Sequence, residues 1–219
     1  MTLTLYGHPF SSYTWKALIP LYENGTPFEF ANVDPANPEV MPRLLALWPL
    51  GKFPVLVDGD RVVLESSTII EHLQNHHPGP VRLIPADPDA AVEVRMLDRI
   101  FDNHVMNQMQ RRVADSLLPP ERRDAALAAD VHAELDKVYG WLDAWLQGRE
   151  WAAAGQFSLA DCAAAPSLFY ADWVHPIAPA FANLRAYRAR LLARPSVARA
   201  VDEARPYRHY FPLGAPDRD

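Results

Sequence analysis

Hydrophobic and polar positions alternate in four short runs within the first third of the chain, which predicts β-strands there. The runs are residues 2–6, 28–33, 53–57 and 62–64. Asp58-Gly59-Asp60 separates the last two runs, and an Asp-Gly pair between alternating segments is typical of a β-hairpin turn. The sequence therefore predicts a small sheet that contains one antiparallel hairpin.

Stretches with a helical period lie between and after these runs. They are residues 12–23, 38–47 and 66–76. Asn24-Gly25 follows the first stretch and is a favourable stop signal, because glycine readily adopts the left-handed conformation that ends many helices. The resulting order β-α-β-α-β-β-α indicates an α/β layer over residues 1–77.

The sequence beyond residue 77 has a different character. Residues 78–89 are punctuated by proline and form a natural linker. Residues 90–219 keep a hydrophobic period of about 3.6, which predicts an all-α second domain. The predicted helices cover residues 90–117, 123–147, 158–174, 183–193 and 196–204.

The composition excludes several classes of protein. A formal net charge of −6 without a Lys/Arg stripe disfavours nucleic-acid binding. No run approaches the ~18 consecutive apolar residues of a membrane span, and the N-terminal residues lack a signal-peptide pattern. We therefore expect a cytoplasmic protein that does not associate with membranes. The single cysteine, Cys162, excludes an intrachain disulfide and a cysteine-rich metal site.

Pro54 stands at the head of an apolar strand, where it removes one hydrogen-bond donor from the ladder. A cis Phe53–Pro54 bond is one interpretation, because it leaves the backbone of Phe53 exposed for pairing with an extended peptide. A trans proline that simply opens the strand is the other interpretation.

Glu65 and Ser66 stand where a predicted strand gives way to a predicted helix. Free N–H groups at a helix start favour an anion, whereas the Glu65 carboxylate favours a cation beside it. An amino-acid head group carries both charges. Alternatively, Ser66 is only the helix N-cap and Glu65 only a charge in the first turn of the helix.

Residues 8–12 connect the first strand to the first helix and offer the hydroxyls of Ser11 and Ser12. Either hydroxyl would lie near a ligand held at the other two segments. Tyr6, at the end of the strand, offers a rival hydroxyl. A serine at this position is also a common N-cap.

Together these segments resemble the glutathione transferase superfamily. The likeness is carried by Tyr-Gly-x-Pro-x-Ser-Ser at residues 6–12, Pro-x-Gly-Lys-x-Pro-Val-Leu at 49–56 and Leu-x-Ser-Ser-x-x-Ile at 64–70. In the second domain, residues 157–161 are similar to the family's buried helix start, with Ser158 as N-cap, Asp161 as its capping-box partner and Phe157 as a hydrophobic staple. Arg194-Pro195-Ser196 also fits the family pattern.

The resemblance implies a thioredoxin-like domain over residues 1–77 that binds glutathione, an all-α helical-bundle domain over 90–219, and a homodimer. It implies that Glu65 and Ser66 hold the γ-glutamyl end of glutathione. The Phe53 backbone then pairs with the cysteinyl unit beside a cis Pro54, and Lys52 binds the glycine carboxylate.

The resemblance also implies that a small apolar electrophile enters beside Phe10 and the first helix of the second domain. Asn103, His104 and Asn107 make that helix unusually polar. They are candidates for lining the electrophile pocket, and simple surface exposure is the alternative for each.

Glutathione attacks electrophiles as a thiolate, and a free thiol of this kind has a pKa of about 8.5. Lowering that pKa by about two units requires roughly 2.7 kcal/mol of preference for the charged sulfur. A hydroxyl donor supplies about 1.5–3 kcal/mol and a helix N-terminus about 0.3–1, so no metal is needed. Ser11 matches the serine of the theta- and zeta-like branches and is our first candidate, with Tyr6 and Ser12 as rivals.

Three positions depart from the family pattern. Trp48 replaces a common Asn, Pro20 interrupts the first predicted helix, and Tyr13 replaces the cysteine of the zeta signature. The function expected is conjugation of glutathione to small apolar electrophiles in detoxification. The alternatives are a glutathione-dependent isomerase or dehalogenase of one metabolite, and a non-catalytic interaction protein of the stringent starvation protein A type.

Overall fold

The alternating segments form one four-stranded sheet in the computed structural model, which describes residues 3–219. The strands are β1 (Leu3–Gly7), β2 (Phe28–Asn32), β3 (Val55–Asp58) and β4 (Arg61–Leu64). Their order across the sheet is β2-β1-β3-β4, with β2 parallel to β1 and the other pairs antiparallel. The predicted hairpin is confirmed, but its loop is Gly59-Asp60, because Asp58 pairs with Arg61 in the ladder.

Three helices cover this sheet, namely α1 (Ser12–Glu23), α2 (Val40–Leu47) and α3 (Ser66–His76). Successive residues of a strand point to opposite faces, so β1 contributes to two separate cores. Leu5 packs with α1 and α3, whereas Tyr6 packs with residues that include Val40 and Leu44 of α2. The bounds of α1 and α3 agree with the sequence prediction, and α2 begins two residues later than predicted.

Six α-helices form the second half of the chain. They are α4 (Pro88–Ile100), α5 (Asn107–Ser116), α6 (Leu127–Trp145), α7 (Leu159–Val174), α8 (Ala182–Ala193) and α9 (Pro195–Ala204). Helical backbone runs without a break over Pro88–Ser116, where a long helix over 90–117 was predicted, and a π-helical insertion at Phe101–Met106 divides it into α4 and α5. The backbone stays helical through this segment, and hydrophobic periodicity does not distinguish a π-helical insertion from a continuous α-helix. The α4 helix also begins at Pro88, two residues before the predicted start of the second domain at residue 90.

Helix α7 is the central element of the second half, and every residue from Leu159 to Trp173 is buried. Its start is fixed by the predicted capping box. The Asp161 carboxylate accepts hydrogen bonds from the backbone N–H of Ser158 at 2.8 Å and from the Ser158 hydroxyl at 2.9 Å. These bonds satisfy polar groups that would otherwise be orphaned inside the core.

Helix α1 joins the two halves of the molecule. Trp15 is fully buried against the ring of Phe169 on α7, with 4.9 Å between ring centroids. At the other end of α1, Glu23 accepts hydrogen bonds from Arg194 Nε at 2.9 Å and from the Ser196 hydroxyl at 2.7 Å. The cleft between the halves therefore has a rigid wall. Within residues 3–219, no helix combines the length and apolar character needed to cross a membrane.

Candidate active site

A cavity of about 640 Å³ lies between the first half of the chain and the α4–α5 region. All five residues predicted to bind glutathione line it: Lys52, Phe53, Pro54, Glu65 and Ser66. The Phe53–Pro54 peptide bond is cis, as the family resemblance implied. Segments that are about a dozen residues apart in the sequence thus converge on one cavity.

The start of α3 is built for a charged ligand. Glu65 precedes the helix at φ 65°, a left-handed conformation that is costly for a residue with a side chain and is concentrated at functional sites. Its carboxylate makes no capping hydrogen bond to the helix. The first backbone N–H groups of α3, from Ser66 to Thr68, therefore face a cavity that also contains an exposed carboxylate. This arrangement can hold an anion and a cation side by side.

Trp48, one of the departures from the family pattern, also lines this cavity, close in sequence to Lys52. Pro20 lies fully within α1, which continues through it to Glu23. The proline is buried, and its own carbonyl accepts the N–H of Asn24 at 3.1 Å. The helix thus tolerates the lost donor without ending early.

A buried ionic network forms the floor of the cavity. Lys16 of α1 is only 1 % exposed. Its ammonium group lies 2.5 Å from Asp98 Oδ1 and 2.7 Å from Asp102 Oδ2, and it donates to the Ser67 hydroxyl at 2.9 Å. Arg99 closes the network with contacts of 2.5 Å to Asp98 and 2.8 Å to Asp102. Lys16, Asp98 and Asp102 are buried whereas Arg99 is half-exposed, and together two cations balance two carboxylates.

The network sets the charge state of the groups around it. Burial raises the pKa of Asp102, although the neighbouring Lys16 opposes that rise. Burial disfavours the charge on Arg99, but its hydrogen bond and attraction to Asp98 raise its pKa overall. Burial and the charge of Asp102 raise the pKa of Tyr13 to about 12, so its hydroxyl is neutral and able to donate at physiological pH. Tyr13 lines the cavity with Arg99 and Asp102.

A second cavity, of about 220 Å³, lies beside Phe10, Ser11 and Ser12. Its remaining lining is mostly apolar and aromatic: Met109, Gln110, Val113, Tyr170, Tyr210, Phe211 and Pro212. Phe10 is held there because the Tyr170 hydroxyl donates to its carbonyl at 2.8 Å and the two rings meet edge to face. Residues 10–13, around the first turn of α1, contribute to both cavities, and of the two only the larger is lined by charged side chains.

The three candidate hydroxyls occupy different environments. Ser11 is the N-cap of α1 and accepts the Thr14 N–H at 3.3 Å, and within residues 3–219 its hydroxyl donates to no other group. Ser12 is buried and accepts a bond from Gln110 Nε2 at 3.4 Å. Tyr6 is buried in the core under α2 and lines neither cavity. Ser11 and Ser12 both line the smaller cavity at the N-terminus of α1, but Ser11 is the more accessible of the two because Ser12 is buried.

The polar residues predicted for the electrophile pocket do not share one location. Asn103 lines the larger cavity, whereas His104 and Asn107 are exposed and line neither of the two. Asn103 and His104 are adjacent in a helical segment, so their side chains leave the helix in directions roughly 100° apart.

Several lining residues were missed by sequence reasoning. Tyr13 was noted only as a departure from a signature, and nothing in the sequence singled out Arg99 or Asp102. Tyr210 and Phe211 follow the last predicted helix, in a segment where no periodic pattern indicated a position. The only available signal was their aromatic character.

Comparison with known proteins agrees with this geometry. Residues 5–81 match the family model described as the glutathione S-transferase N-terminal domain, and residues 106–195 match the model of the C-terminal domain. The N-terminal match includes all five residues predicted to bind glutathione, which line the larger cavity. The fold expected from the resemblance, a thioredoxin-like domain followed by a helical domain, is thereby confirmed.

Individual relatives cover nearly the whole chain. Glutathione S-transferase 3 of Zea mays is 32% identical over 207 residues, which are 91% of this chain and 93% of the relative. A stringent starvation protein A homolog of Coxiella burnetii is 28% identical and covers 92% of each chain. A glutathione S-transferase structure from Methylobacillus flagellatus KT, solved with glutathione bound, superposes with a TM-score of 0.80 at 26% identity, covering 91% of this chain and 98% of that one. The chain therefore belongs to the glutathione S-transferase family.

Proposed function

We propose that this protein is a glutathione transferase that conjugates the glutathione thiolate to small apolar electrophiles. The observation that supports this best is the start of α3. There, free N–H groups and the Glu65 carboxylate open into the larger cavity, while a smaller cavity without charged side chains lies beside Phe10, three residues before Tyr13 in the wall of the larger one. A zwitterionic ligand and an apolar one can thus be held next to each other.

Glutathione binds in the larger cavity through its charges. Its α-carboxylate accepts from the N–H groups and hydroxyl at Ser66, and its α-ammonium pairs with the carboxylate of Glu65. The Phe53 backbone pairs with the cysteinyl unit, and Lys52 attracts the glycine carboxylate. This proposal assigns residues 1–77 to glutathione and residues 90–219, with Phe10, to the electrophile.

Ser11 then stabilises the sulfur. Its hydroxyl donates a hydrogen bond to the thiolate, and the N-terminus of α1 adds its partial positive charge. The proton of the thiol leaves to solvent, and the sulfur lone pair forms a new bond to the electrophilic carbon. The electron pair of the broken bond leaves with the departing group, or, in an addition, takes up a proton from solvent. No metal takes part in this scheme.

Glutathione affinity tests the binding half of the proposal. We expect Glu65→Gln to weaken glutathione binding about 10-fold, because it removes one charge-assisted hydrogen bond to the ammonium group. Titration calorimetry and KM for glutathione measure this. The matched control is Glu71→Gln on the same helix, where the glutamate pairs with Arg95 on the surface and a change within about 2-fold is expected. Equal effects of the two variants would contradict the binding mode.

Two other functions are compatible with the same fold, and each predicts a different result in the glutathione titration. The first alternative is a non-catalytic interaction protein, and it is raised by the similarity to a stringent starvation protein A homolog. The absence of glutathione binding at millimolar concentration would support that function instead. Binding with turnover of a single metabolite, and none with a panel of electrophiles, would indicate a dedicated isomerase or dehalogenase. We further propose a cytoplasmic role in detoxification.

The proposal includes a homodimer, which exposed apolar side chains support. Val92 and Met96 lie one turn apart on α4 and are 64 % and 41 % exposed, and Leu50 is 68 % exposed. Such exposed side chains mark protein–protein contacts when they form part of a larger patch.

We expect Met96→Glu to raise the dimer dissociation constant at least about 10-fold in sedimentation equilibrium, because a charge would be buried at the contact. Leu117→Glu, at the equally exposed end of α5, should leave the dimer intact. A monomeric wild type at micromolar concentration would contradict the proposal.

A further inference from the structure

Three potential metal ligands converge at the far end of the first domain. Asp58 ends β3, His72 lies in the second half of α3, and His77 follows that helix. Both histidine Nε2 atoms lie 2.8 Å from the same carboxylate oxygen, Asp58 Oδ2. The ligand atoms of the three residues all lie within 4.8 Å of one another, and among residues 3–219 no other group of this kind was found.

We propose that Asp58, His72 and His77 form a binding site for a divalent first-row transition-metal ion such as Zn²⁺. Two imidazoles and one carboxylate are a donor set that zinc and its neighbours accept, with water completing the coordination. Typical Zn–N and Zn–O bonds of about 2.0–2.2 Å place tetrahedral ligand atoms about 3.3 Å apart. The two 2.8 Å separations from Asp58 Oδ2 to the histidine Nε2 atoms therefore need to lengthen by about 0.5 Å.

The protons rearrange simply when the ion enters. Without metal, each Nε2 carries the proton that Asp58 accepts, so the carboxylate oxygen holds both rings in place. With metal, that proton moves through solvent to Nδ1 of the same ring, and the Nε2 lone pair binds the ion. The side chains of His77 and Asp58 are partly exposed, at 29% and 17%, which gives the ion a path from solvent.

A neighbouring histidine supplies the control. His76 stacks near His72, with 4.5 Å between ring centroids, but its Nε2 lies 3.1 Å from the Arg61 guanidinium rather than beside Asp58. His76 is therefore not a ligand. The positive charge of Arg61 lies close by, so we expect moderate affinity, with a dissociation constant on the order of 1 µM.

The site is separate from the glutathione chemistry. It lies at the C-terminal end of α3, and the 11 residues of this helix span about 16 Å from the Glu65–Ser66 end. A bound ion would connect the β3–β4 hairpin to the end of α3. Its effect is thus on the stability of the first domain, and the inference stands whether or not the proposed transferase activity is found.

Calorimetric titration with zinc chloride tests the proposal on tag-free protein, without thiols, because glutathione itself binds zinc through its thiolate. We expect one site per chain, and binding at least about 20-fold weaker in His72→Gln and in His77→Gln. His76→Gln should stay within about 3-fold of wild type. Zinc should also raise Tm of the wild type and of His76→Gln, but not of the two ligand variants.

The opposite results are equally clear. If the wild type shows no saturable binding below about 100 µM zinc, the proposed metal site is wrong. Asp58, His72 and His77 then only connect β3 to α3 through hydrogen bonds. Equal weakening by His76→Gln and His72→Gln overturns the assignment of ligands. Circular dichroism of the metal-free variants establishes that they are folded. If His72→Gln is unstable, His77→Gln still tests the ligand assignment, because His77 is the more exposed of the two histidines.

Discussion

Replacing Ser11 with alanine is expected to lower kcat for glutathione conjugation by roughly 10- to 150-fold. The size follows from one hydrogen bond to a charged sulfur, worth about 1.5–3 kcal/mol, since each 1.36 kcal/mol is a factor of ten in rate. The same change should raise the pKa of the enzyme-bound thiol by about one to two units. Stopped-flow absorbance of the thiolate across pH measures that pKa directly.

The loss of the helix cap must be separated from the loss of the thiolate donor. Ser11 accepts the Thr14 N–H at 3.3 Å, so alanine also costs about 1 kcal/mol of stability. Ser11→Thr keeps a hydroxyl for both purposes and should retain most of the activity. Ser12→Ala and Tyr6→Phe remove the rival hydroxyls, and each should change kcat by less than about 3-fold. Full activity in Ser11→Ala, or a thiol pKa that moves only in Tyr6→Phe, would contradict the assignment.

The first domain was largely predictable because its signals are local. Alternation predicts β1, the Asn24-Gly25 stop predicts the end of α1, and the Asp-Gly turn predicts the hairpin. The predicted bounds of these elements lie within a few residues of those in the structure. The glutathione residues were predictable for the same reason, since Lys52, Phe53 and Glu65 fall in short motifs at element ends. The structure brings those motifs to one cavity, as expected from their places in the fold.

The buried ionic network was not predictable because its partners are far apart in sequence. Lys16 meets Asp102 across 86 positions, and a lysine within a helix ordinarily keeps its charge in water. Its neighbours Trp15 and Ala17 are fully buried, which hints at a helix enclosed on several sides. Hydrophobic pattern alone could not indicate that two carboxylates would balance the charge.

The C-terminal segment was missed for a related reason. Residues 205–210 form a 3₁₀ segment, and those that follow are held by ion pairs from Arg205 and Arg208 to Asp219 and from Arg218 to Asp172. These contacts depend on tertiary placement, and the sequence shows no periodicity there. As a result, the sequence prediction placed the electrophile pocket at Phe10, Asn103, His104 and Asn107 and overlooked Tyr210 and Phe211, which line the smaller cavity with Phe10.

Replacing Asp161 with alanine is expected to lower the free energy of unfolding by about 3–5 kcal/mol. The Asp161 side chain is fully buried and accepts hydrogen bonds from two backbone N–H groups, Ala152 at 3.0 Å and Ser158 at 2.8 Å. It also accepts from the hydroxyls of Ser158 and Tyr187, the latter at 2.6 Å. Alanine leaves these donors without a partner, and each buried unsatisfied donor costs about 1–3 kcal/mol. Burying the Asp161 carboxylate itself costs free energy, and alanine removes that cost. The total loss of unfolding free energy is therefore smaller than the sum of the costs of the unsatisfied donors.

Three further variants show whether the loss comes from the hydrogen bonds at Asp161. Asp161→Asn keeps one acceptor oxygen and should fall between alanine and wild type, because its amide group faces donors rather than acceptors. Tyr187→Phe removes a single bond and should cost about 1–1.5 kcal/mol. Asp130→Ala, an exposed aspartate in the first turn of α6, should stay within about 0.5 kcal/mol. Urea unfolding measures all four, and an Asp161→Ala loss as small as that of Asp130→Ala would mean that α7 begins correctly without its carboxylate.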